Sequence, residues 1–344
     1  MEALIAKSTE QLKEIVTSLG EAPFRAAQIE LWLKKGAQIE EMKNIPLSLR
    51  EALGENYRSL ALESEGTFYE KSTETSKFLL KTSEGILIEC VGMVYDGTLS
   101  LCVSSQAGCP MGCVFCQSGE GGFIRNLTAQ EMISQAVIVS KAMNMPVHNV
   151  VLMGSGEPLL NYDNVSEFIR YINREDTMNV GIRRITLSTC GITPGIRRMT
   201  RENLGVNLSI SLHCALPEIR EKIMPAEKKF PIKQAFEACN EYRRVTGRRI
   251  TCEYCVIQGV NDSFECASAL REMLSGTDAQ VNLIDYNPKE GYRPANGSNA
   301  LSSFAKLLKR MSINYTIRRK LGSSVAAACG QLKSSYQKSG RQKN

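Results

Sequence analysis

Cys109-Pro-Met-Gly-Cys113-Val-Phe-Cys116 is the stretch that decides the fold of this chain, because it brings three cysteines together in a loop after a predicted strand. Three thiolates spaced C-x3-C-x2-C can converge on one metal centre, and soft sulfur ligands suit iron–sulfur clusters and zinc. A structural zinc or a complete cluster site needs a fourth ligand. No further cysteine or histidine lies nearby in the sequence, since the two histidines are His148 and His213. The triplet therefore predicts a 4Fe-4S cluster with one open iron; a zinc or purely structural triplet is the alternative.

Length and composition exclude several classes of protein. A chain of 344 residues that is 43% hydrophobic suits one large domain plus a small one. No apolar run reaches the roughly 18 residues that cross a membrane, and the N-terminus lacks a signal-peptide pattern. We therefore expect a cytoplasmic protein without membrane contact, whose 12 cysteines are not a disulfide framework. Six cysteines outside the triplet are interpreted as packing residues: Cys190, Cys214, Cys239, Cys252, Cys255 and Cys266.

The net charge of +6 is mildly basic, and much of the positive charge comes in pairs. Such pairs on one face would suit a polyanion such as RNA. An ordinary solvated surface explains the charge equally well, so composition leaves both possibilities open. The paired residues are Arg183-Arg184, Arg197-Arg198, Arg243-Arg244, Arg248-Arg249 and Arg318-Arg319-Lys320.

The chain divides into three predicted parts. Residues 1–60 form a small helical accessory domain, with Ser8 capping a first helix and Pro46 in the first turn of a third. Residues 61–333 begin with two strand-like stretches at 66–72 and 76–82 and then alternate strands with helices. Such alternation predicts an α/β fold with a parallel sheet curved into a partial (β/α) barrel, whose chemistry gathers at the carboxyl ends of the strands. Residues 334–344 are expected to form a disordered basic tail.

The cysteine spacing, with an aromatic residue directly before Cys116, resembles the signature of the radical S-adenosylmethionine superfamily. The resemblance implies that the open iron binds the amino and carboxylate groups of S-adenosylmethionine. One electron from the cluster would then cleave the sulfonium to methionine and a 5′-deoxyadenosyl radical, while the protein supplies position and excludes water.

Further segments at predicted strand ends would hold this cofactor. Met153-Gly-Ser-Gly156-Glu157-Pro158 resembles the superfamily's glycine–glutamate segment, in which Gly156 allows close approach and Glu157 accepts from the methionine amino group. An ordinary strand-end turn is the alternative. His213 has the alternative of a merely hydrogen-bonded histidine. The other residues predicted to bind the cofactor are Ser188, Ser211, Leu212 and Asn287.

Two more cysteines, Cys102 and Cys329, acquire meaning from a wider resemblance. Taken alone, each is an inert buried thiol. From about residue 20 to 333, however, the chain resembles the RlmN/Cfr family of radical S-adenosylmethionine RNA methyltransferases, and the intact run 156–161 is closer to the RlmN branch. The stretches that carry the resemblance are 101–106 with the triplet, 122–127, 156–161, 185–191, 210–213, 222–225, 259–263, 281–288 and 327–332.

The resemblance implies a covalent route to methylation of an adenine ring carbon. One S-adenosylmethionine methylates Cys329, and a second yields the radical that takes hydrogen from that methyl group. The methylene radical adds to adenine, Glu89 accepts the ring proton, and Cys102 releases the product by forming a disulfide with Cys329. Without the family context, Glu89 would be an exposed strand carboxylate. The implied partners are 23S ribosomal RNA, transfer RNA as a second substrate, and flavodoxin or ferredoxin as electron donor to a monomer.

Three departures from the family pattern flank these residues. Ser155 stands where the family usually has methionine, and Gln117-Ser118 stand where it has Ser-Thr or Ala-Thr. Residues 320–325 replace a usual Arg-Gly-x-Asp-Ile run. The exact RNA target therefore stays open: carbon 2 is expected, and carbon 8 or another RNA is an alternative within the family. A radical maturase and a non-catalytic iron–sulfur RNA-binding paralogue are alternatives outside it.

Overall fold

The computed structural model of the chain describes residues 1–287, 299–322 and 324–332, together with the backbone of residues 335 and 336. Most of the predicted tail, 334–344, lies outside these ranges. In the described residues no helix combines the length and apolar character needed to span a membrane.

Three short α-helices open the chain, as predicted. Ser8 caps the first of them through a reciprocal pair of hydrogen bonds with Gln11. Pro46 immediately precedes the third helix, so its expected position inside the first turn was wrong by one residue. The described helices are α1 (Thr9–Ser18), α2 (Arg25–Lys34), α3 (Leu47–Asn56), α4 (Ala129–Met143), α5 (Tyr162–Asn173), α6 (Thr193–Arg201), α7 (Pro217–Ile223), α8 (Ile232–Thr246), α9 (Phe264–Leu274) and α10 (Ala300–Arg310).

The predicted α/β fold is confirmed, because from residue 98 onward at least one helix separates each parallel strand of the main sheet from the next. The described strands are β1 (Glu2–Ala3), β2 (Tyr57–Arg58), β3 (Leu62–Glu70), β4 (Thr75–Thr82), β5 (Ile86–Tyr95), β6 (Thr98–Cys102), β7 (Gln106–Gly108), β8 (Phe123–Asn126), β9 (Val147–Leu152), β10 (Ile185–Thr189), β11 (Asn207–Ser211), β12 (Thr251–Val256), β13 (Gln280–Asp285), β14 (Tyr315–Ile317) and β15 (Ser335–Tyr336).

The main sheet has a parallel half and an antiparallel half. Strands β6, β9, β10, β11, β12, β13 and β14 lie side by side in that order and all pair in parallel. Strands β5, β4 and β3 continue the sheet from β6 as antiparallel neighbours. The parallel half curls into an open barrel. Arg318 follows β14 and Met153 follows β9, and the Arg318 guanidinium donates to the Met153 sulfur at 3.3 Å.

The N-terminal helices pack on the barrel rather than apart from it. Leu4, Leu12 and Leu49 belong to the same buried apolar cluster as the strand residues of the barrel. Gln130 of α4 also donates from its side-chain amide to the Ile5 carbonyl at 2.8 Å. The boundary placed at residue 60 stays a prediction, because a shared core does not by itself locate a domain border.

Candidate active site

A cavity of about 1000 Å³, partly open to solvent, lies where the carboxyl ends of the parallel strands meet. We call it the inner cavity. Residues from the ends of β9 to β14 line it, in keeping with where α/β barrels carry their sites. The sequence-predicted residues in its wall are Cys109, Cys113, Cys116, Gly156, Glu157, Ser188, Ser211, His213, Asn287 and Cys329. Of the other predicted residues, Leu212, Cys102 and Glu89 do not line it.

The cysteine triplet sits on a loop whose neck is closed by the antiparallel strands β7 and β8, which the sequence did not predict. The Val114 N–H donates to the Ile223 carbonyl at 3.0 Å, which ties the loop to the end of α7. Within the described ranges, no three His, Cys, Asp or Glu side chains are close enough to share a single metal ion. A cubane cluster makes a different demand, because each thiolate binds its own iron.

Cys190 is a fourth cysteine in the cavity wall, although the sequence interpretation assigned it to packing. Its thiol hydrogen-bonds to the Cys113 thiol. Cys190 directly follows β10, so the topology of the sheet, not closeness in sequence, brings it beside the triplet. Cys255 of β12, also interpreted as packing, lines the same cavity.

Gly156 and Glu157 form a tight turn after β9. Gly156 has φ of 110°, and a Cβ there would lie 2.6 Å from the Cβ of Gln106, so glycine is required. The Glu157 carboxylate accepts from the Cys190 N–H at 2.7 Å and from the Leu159 N–H at 3.1 Å. Burial raises the pKa of Glu157, and these hydrogen bonds oppose the rise.

His213 lies at the end of β11 with a left-handed backbone (φ 53°). Its Nδ1 accepts from the Cys255 N–H at 2.9 Å, and its ring packs edge-on against Phe115 at 4.7 Å. Burial, together with the nearby Arg220, lowers the pKa of His213 to about 3. The imidazole is therefore neutral, with its proton on Nε2, and serves the cavity as a hydrogen-bond donor.

Arg220, which the sequence analysis did not identify, hydrogen-bonds to the carboxyl ends of two neighbouring strands, β10 and β11. Its guanidinium is fully buried and donates to the carbonyls of Ser211, Leu212 and Cys190 at 2.8–3.0 Å. Glu227 is its buried counter-ion. Leu212 belongs to this network through its backbone, because its carbonyl accepts from Arg220 and its N–H donates to the Glu253 carbonyl. Its side chain lies in the core. Arg220 stands in the charged run 218–222, so the sequence gave no signal that its side chain is buried.

The segment carrying Cys329 closes the inner cavity from the other side. The Asn287 amide donates to the Cys329 carbonyl at 3.1 Å, and the Gln117 N–H donates to the Gly330 carbonyl at 2.7 Å. The Ser118 hydroxyl donates to the Leu332 carbonyl at 2.8 Å. Gln117 and Ser118, two of the family departures, thus hold the Cys329 segment against the cluster loop. We call these three contacts the inner anchor.

Cys102 lies within electrostatic range of Cys329, although one belongs to β6 and the other follows β14. Burial raises the pKa of Cys102 to about 12, and Cys329 adds to the rise while Arg318 opposes it. Arg318 interacts electrostatically with both cysteines and lies 3.8 Å from the Glu253 carboxylate. The resemblance that paired the two cysteines gave no hint of this arginine.

Glu89 occupies β5, and the strand register locates it relative to Cys102. Val91 pairs with Cys102, so Glu89 lies two residues further along on the same face. Such diagonal neighbours are typically about 7–8 Å apart. The Glu89 carboxylate pairs with Lys77 at 3.0 Å, with both side chains 12% exposed.

A second cavity of about 1080 Å³, the outer cavity, borders Cys329 from the side away from the cluster loop. Tyr95, Arg319 and Lys320 line it, and the Arg319 guanidinium lies 4.7 Å from the centre of the Tyr95 ring. Cys329 therefore faces two spaces, one beside the cysteine triplet and one beside cationic and aromatic side chains.

Several of the paired basic residues are bound to acidic neighbours. Arg198 pairs with Asp163 and Glu202, and Arg243 pairs with Asp278. These residues behave as an ordinary solvated surface, so charge pairs alone do not define an RNA-binding face.

The inner cavity suits an iron–sulfur cluster and S-adenosylmethionine. Three thiols on one loop provide soft ligands for iron, and Glu157 and Ser211 offer acceptors at the strand ends. The Asn287 side-chain oxygen is buried and has no hydrogen-bond partner among the described residues. An unpaired buried acceptor costs about 1–3 kcal/mol, so a bound ligand that donates to it would recover this energy.

Comparisons with known proteins agree with this chemistry. The family model described as the radical SAM superfamily matches residues 103–265. A second model, described as the ribosomal RNA large subunit methyltransferase N-terminal domain, matches residues 3–58. A crystal structure of a radical SAM methyltransferase from Sphaerobacter thermophilus, 36% identical, has a TM-score of 0.89 and covers 96% of this chain and 99% of that one.

Curated relatives match over nearly the whole length. The probable dual-specificity RNA methyltransferase RlmN of Clostridium perfringens (strain 13) is 44% identical over 342 residues, covering 98% of this chain and 99% of the relative. The protein of the same description from Lachnoclostridium phytofermentans is 41% identical, covering 96% and 94%. The chain therefore belongs to the RlmN/Cfr family of radical S-adenosylmethionine RNA methyltransferases, whose cofactors are a 4Fe-4S cluster and S-adenosylmethionine.

Proposed function

We propose that this enzyme methylates carbon 2 of an adenosine in 23S ribosomal RNA, with transfer RNA as a second substrate, through an S-methylcysteine at Cys329. The observation that carries the proposal is the position of Cys329, which lines one cavity with the cysteine triplet and interacts with Cys102. The dual-specificity description of the relatives supports more than one RNA substrate.

In this proposal Cys109, Cys113 and Cys116 bind the cluster, and the inner cavity binds S-adenosylmethionine. When bound, these groups supply a methyl group and, by one-electron cleavage, a carbon radical. The neutral His213 donates to the bound cofactor, and Glu157 accepts from its ammonium group. The remaining cofactor contacts are assigned to Gly156, Ser188, Ser211 and Asn287, which line the inner cavity, whereas the predicted residue Leu212 does not line it and would act only by supporting its neighbours.

The transfer steps use residues beyond the cofactor. Cys329 would accept a methyl group on sulfur. After that methyl group has lost one hydrogen to the cofactor-derived radical, its carbon would bond to the adenine ring, and the resulting radical adduct would return one electron to the cluster. Glu89 accepts the proton that leaves the ring carbon. Cys102 then attacks the Cys329 sulfur, so that the bond between carbon and sulfur breaks and a Cys102–Cys329 disulfide forms. Two molecules of S-adenosylmethionine are consumed for each methyl group transferred.

The outer cavity supports access of an unpaired base to Cys329. Arg319 and Lys320 provide charge for phosphate, and Tyr95 provides a ring on which a base can stack. An adenine inside a helix would have to be extruded to reach this point. Binding is expected to weaken steeply with salt, because cationic contacts to phosphate release counter-ions. The monomeric state, the cytoplasmic location and a flavodoxin or ferredoxin donor remain predictions.

Mass spectrometry of the Cys329 peptide tests the proposal. Anaerobically reconstituted enzyme incubated with S-adenosylmethionine is expected to gain one methyl group on Cys329. Cys329→Ala is expected to abolish RNA methylation, whereas Cys239→Ala, a buried cysteine of α8 outside both cavities, retains it. Nucleoside analysis of the treated RNA separates 2-methyladenosine from the carbon-8 alternative. A maturase or a non-catalytic paralogue would leave Cys329 unmodified, and RNA methylation by Cys329→Ala would exclude the covalent route.

A further inference from the structure

The Cys329 segment is held at a second point, at Ser324, which precedes Cys329 in the chain. The N–H of Ser324 donates to Oε2 of Glu70 at 2.7 Å, and its hydroxyl donates to the same oxygen at 2.5 Å. Glu70 ends β3, in the antiparallel half of the sheet. Cys329 thus lies between this contact and the inner anchor.

The hairpin turn between β3 and β4 reinforces the contact with Glu70. The Thr73 hydroxyl donates to the other Glu70 oxygen at 2.8 Å and accepts from the Gly322 N–H at 3.4 Å. The Ala327 N–H donates to the Gly322 carbonyl at 2.8 Å, so the chain between Gly322 and Ala327, just before Cys329, is also fixed. The segment is therefore fixed to the turn through two residues, Gly322 and Ser324.

The electrostatics of this contact require a neutral donor at position 324. Glu70 is 9% exposed, and the hydrogen bonds from Ser324 and Thr73 lower its pKa, so it is a carboxylate at neutral pH. A second carboxylate at position 324 would face Glu70 directly, and two like charges in contact repel. Aligned on Gly322, position 324 is where the family run Arg-Gly-x-Asp-Ile has its aspartate. The serine of this chain therefore suits the carboxylate of Glu70.

We propose that Glu70 is a positioning residue that sets the place of Cys329 in the cavity through Ser324. We call the pair the Glu70–Ser324 latch. The effect of the latch on catalysis rests on the proposed function, in which Cys329 is the residue that accepts the methyl group. It touches neither cavity, so it acts on the rate of the Cys329 reactions and leaves the affinity for S-adenosylmethionine unchanged.

A charge exchange tests the latch. Ser324→Asp, which restores the usual family residue, is expected to slow Cys329 methylation about tenfold, a typical coupling for contacting residues. Glu70→Lys combined with Ser324→Asp restores an attractive pair and is expected to return the rate to within about threefold of the wild type. Ser303→Asp on α10 and Glu74→Lys in the same turn as Glu70 are the matched exposed controls.

A second measurement, the equilibrium constant of disulfide formation, reports on the position of Cys329 relative to Cys102 and needs no methyl transfer. Glutathione disulfide oxidises Cys102 and Cys329 to their disulfide with release of two glutathione molecules, and peptide mass after alkylation gives the equilibrium constant. Ser324→Asp is expected to lower this constant about tenfold and the double variant to restore it, with unchanged thermal midpoints. If Ser324→Asp does not fold, Glu70→Gln and Ser324→Ala replace it. Each is expected to lower the rate of Cys329 methylation and the disulfide equilibrium constant by a smaller factor.

The outcomes separate the latch from the function. Wild-type values for Ser324→Asp in both measurements, or no recovery in the double variant, would overturn the latch. A wild-type enzyme that never methylates Cys329 would overturn the proposed function, and the disulfide equilibrium would still judge the latch.

Discussion

The cofactor side and the transfer side of the site are built in different ways. On the cofactor side, Arg220, Glu157 and His213 are buried and each makes at least one hydrogen bond to backbone. On the transfer side, Cys329 is exposed, and the pair Glu89–Lys77 is partly exposed. A fixed wall suits a cofactor that binds the same way each time, whereas Cys329 has to meet both a cofactor and an RNA base. Buried networks therefore set the geometry of one side, and a few hydrogen bonds to the segment that carries the exposed Cys329 set the other.

The largest expected effect comes from breaking the buried wall. Arg220→Met leaves Glu227 buried without its cation and is expected to lower the free energy of unfolding by about 3–5 kcal/mol. Arg174→Met removes the cation from the exposed pair with Asp176 and is expected to cost at most about 1 kcal/mol. Urea unfolding of both variants measures the difference. Equal losses would contradict the expectation that the buried ion pair of the cofactor side stabilises the fold more than an exposed ion pair does.

A smaller effect, on rate and not on stability, is expected from the transfer side. Glu89→Gln keeps the shape of the side chain and removes its basicity, so RNA methylation is expected to fall at least about 100-fold. The protein–RNA adduct accumulates, because its ring proton has no acceptor, while methylation of Cys329 proceeds at the normal rate. Glu63→Gln, whose carboxylate pairs with Lys81 on the same hairpin, is the matched control. Loss of both reactions together would show that Glu89 supports folding and not proton transfer.

The smallest effect concerns the protonation of Cys102. Because burial raises its pKa to about 12, the thiol is protonated at neutral pH. The thiolate fraction, and with it the rate of alkylation by iodoacetamide, is expected to rise about tenfold for each pH unit between 7 and 10. Arg318→Met lowers the rate further, whereas Arg319→Met, beside Tyr95, does not. A plateau in the alkylation rate below pH 10 would contradict the raised pKa.

Local sequence patterns predicted the elements well wherever one face is buried. The pattern predicts a helix over 129–143, which are the bounds of α4. It also predicts strands that differ by at most two residues at either end from those of the parallel half, at 99–104, 149–153, 184–188, 207–212, 250–257, 280–286 and 315–319. The hairpin strands β3 and β4 were also found, although β3 begins at Leu62 and not at 66. Strands β7 and β8 were not predicted, because segments of three or four residues are too short to show an alternating pattern of apolar and polar residues.

The site was only partly readable from the sequence. The cysteine triplet is visible because its ligands are close in the chain, and a family resemblance supplied Cys102, Cys329 and Glu89. Cys190 and Arg220 gave no signal, because each acts through contacts with residues on other strands. Their roles depend on which strands are neighbours, and no local pattern records that.

The sequence by itself determined the chemistry that this protein can hold, since three closely spaced thiols select the kind of metal centre in any fold that exposes them. Only the tertiary structure decided where that chemistry can be used. The curling of the parallel strands brings Cys329 to Cys102, and the hairpin turn brings Glu70 to Ser324. These contacts join residues separated by more than two hundred positions. They form because burial of the shared core offsets the entropy of closing such long loops.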